Sequence, residues 1–173
     1  MEVWFQDEAR VGQKGTLTRI WAERGTRPRA PQDTRYQWAY IFGAACAERA
    51  ATAALVMPRA NAHAMNLHLL EIAKAVATGS HAILVVDGAG WHKPEALDVP
   101  SNITLLKLPP YSPELNSMEN VWAYLRGNRL AISVFDTYED ILDACCDAWN
   151  FFAKDKTRIR SIVAREWAKT VTG

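Results

Sequence analysis

The chain has few cysteines, no long apolar run and almost no net charge, and each of these absences removes a class of protein. Its three cysteines, Cys46, Cys145 and Cys146, are odd in number and two are adjacent, which fits reduced thiols rather than a disulfide framework or a zinc site. No stretch approaches the roughly 18 apolar residues of a membrane-spanning helix. Met1 is followed by Glu2 rather than by a signal segment. We therefore expect a cytoplasmic protein with no membrane partner.

Charge of neither sign dominates, since 20 lysines and arginines oppose 19 acids and leave a net charge of +1. This balance argues against strong, unaided, sequence-independent binding of nucleic acid, which needs many phosphate contacts. The basic residues are nevertheless clustered. Arg24, Arg27, Arg29 and Arg35 fall in a basic, proline-rich link, and Arg126 lies much later in the chain. A solvated surface is the ordinary explanation of such clusters, and contact with phosphate is the alternative.

The hydrophobic content and the length of the chain suffice for one packed domain covering residues 1–173. Of its residues, 49% are hydrophobic, and single domains run to about 100–200 residues. Apolar runs at residues 3–7, 17–22 and 36–45 predict three antiparallel strands. Residues 51–57 predict either a further short strand or an extension of the third. Residues 82–86 are apolar throughout, as in a parallel strand buried on both faces, and residues 103–108 predict another such strand.

Helix signals fill the intervals between the later strands. Asn61 predicts the N-cap of one helix and Gly79 its stop, and a short helix is expected after Trp91. Thr137 and Asp140 resemble a capping box, and residues 158–169 predict a last short helix. The sequence therefore predicts an α/β fold in which a mixed five-stranded sheet, three strands antiparallel and two parallel, is flanked by helices.

The stretch LPPYSPELNSMENVW at residues 108–122 combines three prolines, two carboxylates and the start of a helix. The prolines exclude helix and central strand and predict an extended or turning path. Asn116 then predicts an N-cap, followed by an apolar stripe at helical spacing: Met118, Val121, Trp122 and Leu125. Glu119 falls about 110° from the centre of this stripe, at its edge. It is either a group that faces out of the core or the partner of Asn116 in a capping box.

Two aspartates are candidate partners of the Glu119 carboxylate. Asp7 ends the first predicted strand and Asp87 ends the buried one, so neighbouring strands would bring both to one rim of the sheet, where open α/β sheets place their sites. The helix of Glu119 could add a third. Such oxygen donors suit Mg²⁺ or Mn²⁺, and two such ions support in-line phosphodiester cleavage or transfer. Singly, each acid has a structural explanation as a turn former or cap.

Four segments in order resemble the motifs of one family: QDEA at residues 6–9, RIWAERGTRP at 19–28, ILVVDGAGWHKP at 83–94, and the stretch at 108–122. Together they resemble the catalytic domain of mariner-superfamily DDE transposases, in particular the bacterial insertion-sequence branch. The resemblance implies an RNase H-like fold, action in the bacterial nucleoid, and two Mg²⁺ or Mn²⁺ ions that serve to cut DNA at transposon ends and join it to a target. It assigns Asp7, Asp87 and Glu119 as the D, D and E.

The resemblance also implies secondary residues and partners. His92 and Asn120 are secondary site candidates, the arginines named above are candidates for DNA contact, and a homo-oligomer is expected on DNA. The chain begins at the first catalytic strand, so we expect the helix-turn-helix region to be missing or on a separate subunit. The interval from Asp87 to Glu119 is short (119 − 87 = 32), and Gly88 replaces a more usual asparagine. An RNase H-fold nuclease without strand transfer and a catalytically degenerate assembly module are the alternatives.

Overall fold

A five-stranded mixed sheet forms the centre of the molecule. The structure, a computed structural model, describes residues 1–13, 24–25, 36–88, 97–110, 112–130 and 134–169. The sheet order is β3-β2-β1-β4-β5, and its strands in chain order are β1 (Glu2–Gly12), β2 (Trp38–Cys46), β3 (Ala51–Met57), β4 (Ala82–Val86) and β5 (Ile103–Lys107). The strand expected at residues 17–22 and the helix expected after Trp91 lie outside the described residues.

The strand directions confirm the predicted fold class. β2 pairs antiparallel with both β1 and β3, while β4 lies between β1 and β5 and is parallel to each. Residues 51–57, which had two interpretations, therefore form the third antiparallel strand. The uninterrupted apolar run of β4 is explained by its place, since a strand between two parallel neighbours is covered by helices on both faces.

Helices follow the strands and are delimited largely by side-chain caps. They are α1 (Ala62–Ala75), α2 (Met118–Leu125), α3 (Tyr138–Ala153), α4 (Lys156–Val163) and α5 (Glu166–Lys169). Asn61 caps α1 through the N–H of Ala64 at 2.9 Å, and Thr137 and Asp140 form the expected capping box of α3. The single helix expected at residues 158–169 is instead two, because the chain leaves helical geometry at Ala164. Within the described ranges, no helix is both long and apolar enough to cross a bilayer.

Two apolar layers cover the sheet, one on each face. Trp4 and Leu84 point to the face of α1, whereas Phe5 and Val85 point to the face covered by α2, α3 and α4. This alternation follows from the period of two along a strand. It determines which polar residues of β1 face the helical layer that contains α2.

Two sequence expectations near the carboxylates were wrong. β1 does not end at Asp7 but continues to Gly12, because Ala9 and Val11 keep the alternating pattern and pair with Ile41 and Ala39 of β2. The proline-rich approach to α2 is also not wholly irregular, since Pro113–Leu115 form a 3₁₀ turn. Proline is compatible with the first position of such a turn, where its missing N–H has no intrahelical partner.

Candidate active site

Asp7 lies on β1, and Asp87 directly follows the end of the neighbouring parallel strand β4. The register of β1 and β4 pairs Phe5 with Val85, and continuing it by two residues sets Asp7 opposite Asp87. Phe5 belongs to the core beneath α2, so Asp7, two positions later on the same strand, is directed to the same face. β4 ends at Val86, which leaves both half-buried carboxylates at the point where β1 extends beyond its parallel neighbour.

Two long-range hydrogen bonds attach α2 to this part of β1. The Asn116 side-chain amide donates from Nδ2 to the carbonyl oxygen of Gln6 at 3.0 Å. The Trp122 indole donates from Nε1 to Oδ2 of Asp7 at 2.9 Å. Because these bonds flank the first turn of α2, they fix the position of Glu119, which lies between the two donors in sequence.

A glycine makes room for the indole that reaches Asp7. Gly43 of β2 is the cross-strand partner of Asp7, and a Cβ at this position would lie 2.7 Å from Cη2 of Trp122 and 2.6 Å from Cζ3 of Trp149. Real Cβ contacts do not come so close. The two indoles pack over the glycine with their ring centroids 5.9 Å apart. The absence of a side chain at Gly43 therefore determines how closely Trp122 approaches the sheet.

The electrostatics of Asp7 differ from those of an ordinary surface carboxylate. The pKa of Asp7 is raised to about 7, chiefly by burial and further by the negative charges of Glu8 and Glu119, while the hydrogen bond from Trp122 opposes the rise. The charge of Glu119 acts on Asp7 although the two residues are 112 positions apart (119 − 7). A site that disfavours a negative charge to this degree gains stability when a cation enters it.

Glu119 does not serve as the capping-box partner that the sequence left open. It is exposed, and the backbone N–H of Asn116, which such a box would use, donates to the carbonyl of Pro113 at 3.0 Å. The N-cap of α2 is Ser117, one residue later than expected, although Oδ1 of Asn116 accepts from the N–H of Met118 at 3.1 Å. Glu119 is thus an exposed carboxylate at the edge of the apolar stripe, as the helical spacing predicted.

The remaining predicted residues are placed only in part. Asn120, Arg24 and Arg126 are exposed, and Arg126 begins a π-helical turn, Arg126–Leu130, that continues α2. His92, Arg27, Arg29 and Arg35 lie outside the described residues.

Metal coordination by the three acids stays a prediction. Among the described residues, which include Asp7, Asp87 and Glu119, no group of three or more His, Cys, Asp and Glu side chains is arranged so that it could hold a metal ion. The chemistry of the donors nevertheless fits Mg²⁺ or Mn²⁺, since all three are carboxylates. The raised pKa of Asp7 indicates an unfavourable buried charge that a cation would compensate.

Sequence reasoning missed two residues of this site. Trp122 was assigned to the apolar stripe of α2, which is correct for its ring but overlooks its N–H, and Gly43 received no role. The available signal was the position of Trp122 one helical turn after Glu119, on a neighbouring part of the same helix. The acceptor of its hydrogen bond is 115 residues away, so no local pattern could identify it.

Comparison with known proteins agrees with this architecture. The family of DDE superfamily endonucleases matches residues 2–142. An uncharacterized protein, y4pE/y4sA of Sinorhizobium fredii (strain NBRC 101917 / NGR234), is 50% identical over 131 residues, which are 76% of this chain and 97% of the relative.

Among solved structures, the chain is similar to the Mos1 mariner paired-end complex with Mn, with a TM-score of 0.69 and 19% identity over 92% of this chain and 51% of that one. The Mos1 strand transfer complex gives a TM-score of 0.65 and 18% identity, covering 92% and 50% of the two chains. The Mos1 paired-end complex with Mg gives 0.67 and 18%, with the same coverage. The chain thus spans about half the length of these structures, and the likeness confirms the RNase H-like fold. With the family matched over most of its length, the chain belongs to the DDE superfamily endonucleases.

Proposed function

We propose that this chain is the catalytic domain of a mariner-type DNA transposase that cuts phosphodiester bonds at transposon ends and joins the freed 3′ ends to target DNA. The observation that supports the proposal is the parallel pairing of β1 with β4, whose register, continued past the end of β4, sets Asp87 opposite Asp7. Glu119 lies on a helix that is hydrogen-bonded to the same strand, β1. Because the chain belongs to a family of endonucleases, we assign these three acids to phosphodiester chemistry.

Asp7, Asp87 and Glu119 are the residues that would hold Mg²⁺ or Mn²⁺. When bound, a pair of such ions activates the attacking oxygen and stabilises the leaving one. The chain itself contributes the negative charges, the fixed orientation of Asp7 and the attachment of α2. Because the pKa of Asp7 is about 7, binding of a cation at neutral pH would release a proton from this carboxyl group.

DNA is the partner that the proposal requires. The Mos1 structures include transposon-end and strand-transfer complexes, and the exposed guanidinium groups of Arg24 and Arg126 could contact phosphate. Because the net charge is only +1, we expect weak and salt-sensitive binding by the chain alone. We also propose that assembly on DNA produces a homo-oligomer and that a helix-turn-helix region, elsewhere or on another subunit, recognises the transposon end.

The direct test replaces each acid and follows labelled DNA taken from the ends of the element that encodes the chain. Asp7→Asn, Asp87→Asn and Glu119→Gln should each reduce cleavage with Mg²⁺ or Mn²⁺ by more than the 10–100-fold typical of losing a residue that only supports a metal ligand. Glu114→Gln is the matched control, since Glu114 is an exposed acid of the same stretch. Full activity in any of the three variants, or its loss in the control, contradicts the assignment.

One observation favours a second candidate, a degenerate module that keeps the fold for assembly: the three acids, as placed, do not form a group that could hold a metal. A titration with Mn²⁺ decides between them. Binding at or below millimolar concentration supports the catalytic proposal, and its absence with and without DNA supports the module. The products of the cleavage assay separate transposase from simple nuclease, because only a transposase joins strands.

A further inference from the structure

We infer that Trp122 is a positioning residue for Asp7: its indole N–H fixes one carboxylate oxygen and thereby sets the distance between Asp7 and Glu119. The inference rests on the proposed function, because it concerns a residue that supports the proposed metal ligand. It extends that proposal to a side chain that sequence reasoning assigned only to the core.

The hydrogen bond from Trp122 can orient the Asp7 carboxylate, but Trp122 itself cannot bind a cation. An indole N–H is a donor without acceptor capacity, so Trp122 can hold Asp7 but cannot compete with it for a cation. The bond from Nε1 to Oδ2 measures 2.9 Å, and Trp122 is only 2% exposed, so water does not readily replace the donor. Rotation of the Asp7 carboxylate breaks this bond, which favours one orientation.

The donor is itself immobilised by packing. Trp122 lies against Trp149, which in turn meets the ring of Phe152 edge-on with centroids 5.6 Å apart. Beneath both indoles Gly43 leaves room that a Cβ would fill. The Trp122 ring is packed between Gly43 and the Trp149 indole and therefore has little freedom to move. The Asp7 carboxylate keeps the hydrogen bond only in the position that this fixed ring allows.

The same helix links this bond to the third acid. Trp122 follows Glu119 by three residues, and in α2 this spacing sets the two side chains on adjacent parts of the helix surface. Any rotation or sliding of α2 changes both the Trp122–Asp7 bond and the position of Glu119. The Asn116–Gln6 bond at the start of α2 opposes such movement. Because Glu119 and Trp122 lie on the same helix, their spacing sets the distance between the two proposed ligands, Asp7 and Glu119.

The test compares Trp122→Phe with Trp149→Phe. Both variants shorten an indole that packs over Gly43, but only the first removes a donor to Asp7. Free Mn²⁺ is measured by electron paramagnetic resonance during titration, and thermal unfolding is followed for each variant. We expect Trp122→Phe to weaken Mn²⁺ binding by about 10–100-fold, the usual effect of losing support for a metal ligand. Trp149→Phe should remain within about twofold of wild type while losing comparable stability.

A measurement on the wild-type protein covers the case in which Trp122→Phe does not fold. During a titration with diamagnetic Mg²⁺, the indole N–H resonance of Trp122 should shift, because its acceptor becomes a ligand, and that of Trp149 should not. Unchanged Mn²⁺ affinity in folded Trp122→Phe, equal weakening in Trp149→Phe, or no Trp122 shift at saturating Mg²⁺ each overturns the inference and leaves the proposed function standing. No spectral change anywhere with either ion overturns the proposed function and the inference together.

Discussion

Replacing Asp7 with asparagine should stabilise the metal-free protein at alkaline pH while destroying its response to metal. In the folded chain the pKa of Asp7 is about 7, against an ordinary value of 3.8, chiefly because of burial and then because of the charges of Glu8 and Glu119. Between pH 3.8 and about 7 the folded state therefore keeps a proton that the unfolded state has lost. The free energy of unfolding falls as the pH rises through this window, and the loss is complete above it.

The size of the effect follows from the shift. Three pKa units at about 1.36 kcal/mol each give an upper limit of about 4 kcal/mol for the cost of the charged carboxylate. Asp7 is half-buried, so solvent reduces this cost, and we expect a gain of about 2 kcal/mol for Asp7→Asn at pH 8. The gain should vanish near pH 4, where the wild-type group is protonated in the folded chain. Asparagine also retains an oxygen that can accept the Trp122 indole N–H.

Urea unfolding at pH 8 and pH 4 in the presence of a chelator measures this difference. Asp143→Asn is the matched control, because Asp143 is an exposed carboxylate of α3, and it should change stability by less than about 0.5 kcal/mol. Adding Mn²⁺ at 100 times its dissociation constant should then stabilise the wild type by about 2.7 kcal/mol and leave Asp7→Asn unchanged. An Asp7→Asn protein that is less stable than wild type at pH 8 refutes the reasoning.

Three further predictions concern a tight contact, a buried histidine and a buried carboxylate next to the sheet, and each is measured by urea unfolding. Gly43→Ala should cost about 1–3 kcal/mol, because the new Cβ meets two indoles; a neutral result contradicts the tight contact. His68 is fully buried and, within the described chain, neither ring nitrogen has a well-formed hydrogen bond. Burial lowers its pKa to about 3, with a small opposing effect of the Gly43 backbone. Stability should therefore fall as pH drops from 6.5 towards 3, and His68→Leu should flatten this dependence; an unchanged profile contradicts it. Arg49→Ala should cost about 1–2 kcal/mol, because the buried Glu2 carboxylate loses its 3.2 Å ion pair but keeps the donors of Trp4 and Ala77. Lys74→Ala, at an exposed pair, should cost under about 0.5 kcal/mol. Equal costs for these two variants would contradict the expectation that the Arg49–Glu2 pair stabilises the fold more than an exposed ion pair does.

Local patterns predicted the elements whose causes are local. The apolar run of β4, the Asn61 cap of α1 and the Thr137–Asp140 capping box each depend on a few neighbouring residues, and the structure confirms all three. The end of β1 was misplaced at Asp7, where the predicted run of residues 3–7 stops. Ala9 and Val11 continue the strand only because β2, more than 20 residues away, supplies matching partners.

The acids of the candidate site were proposed from the sequence, whereas the residues that hold them in place were not. Asp7, Asp87 and Glu119 were selected from strand ends, helical spacing and family resemblance, although their joint coordination of metal stays a prediction. The bonds Asn116–Gln6 and Trp122–Asp7 span 110 and 115 residues. Nothing in the neighbourhood of either residue specifies a partner so distant, so only the folded chain shows that one helix is attached on both sides of Glu119.

The extension of β1 beyond β4 also predicts which insertions the chain can tolerate. One extra residue between Phe5 and Asp7 would turn the carboxylate towards α1, on the opposite face of the sheet, while the strand could still pair with β2. Two extra residues would restore its direction but move it about 7 Å along the strand, out of reach of the indole. Changes in the length of the connection after Asp87 leave the paired register of β1 and β4 intact. Length variation among related chains should therefore be absent from the short segment between Phe5 and Asp7 and concentrated after the second aspartate.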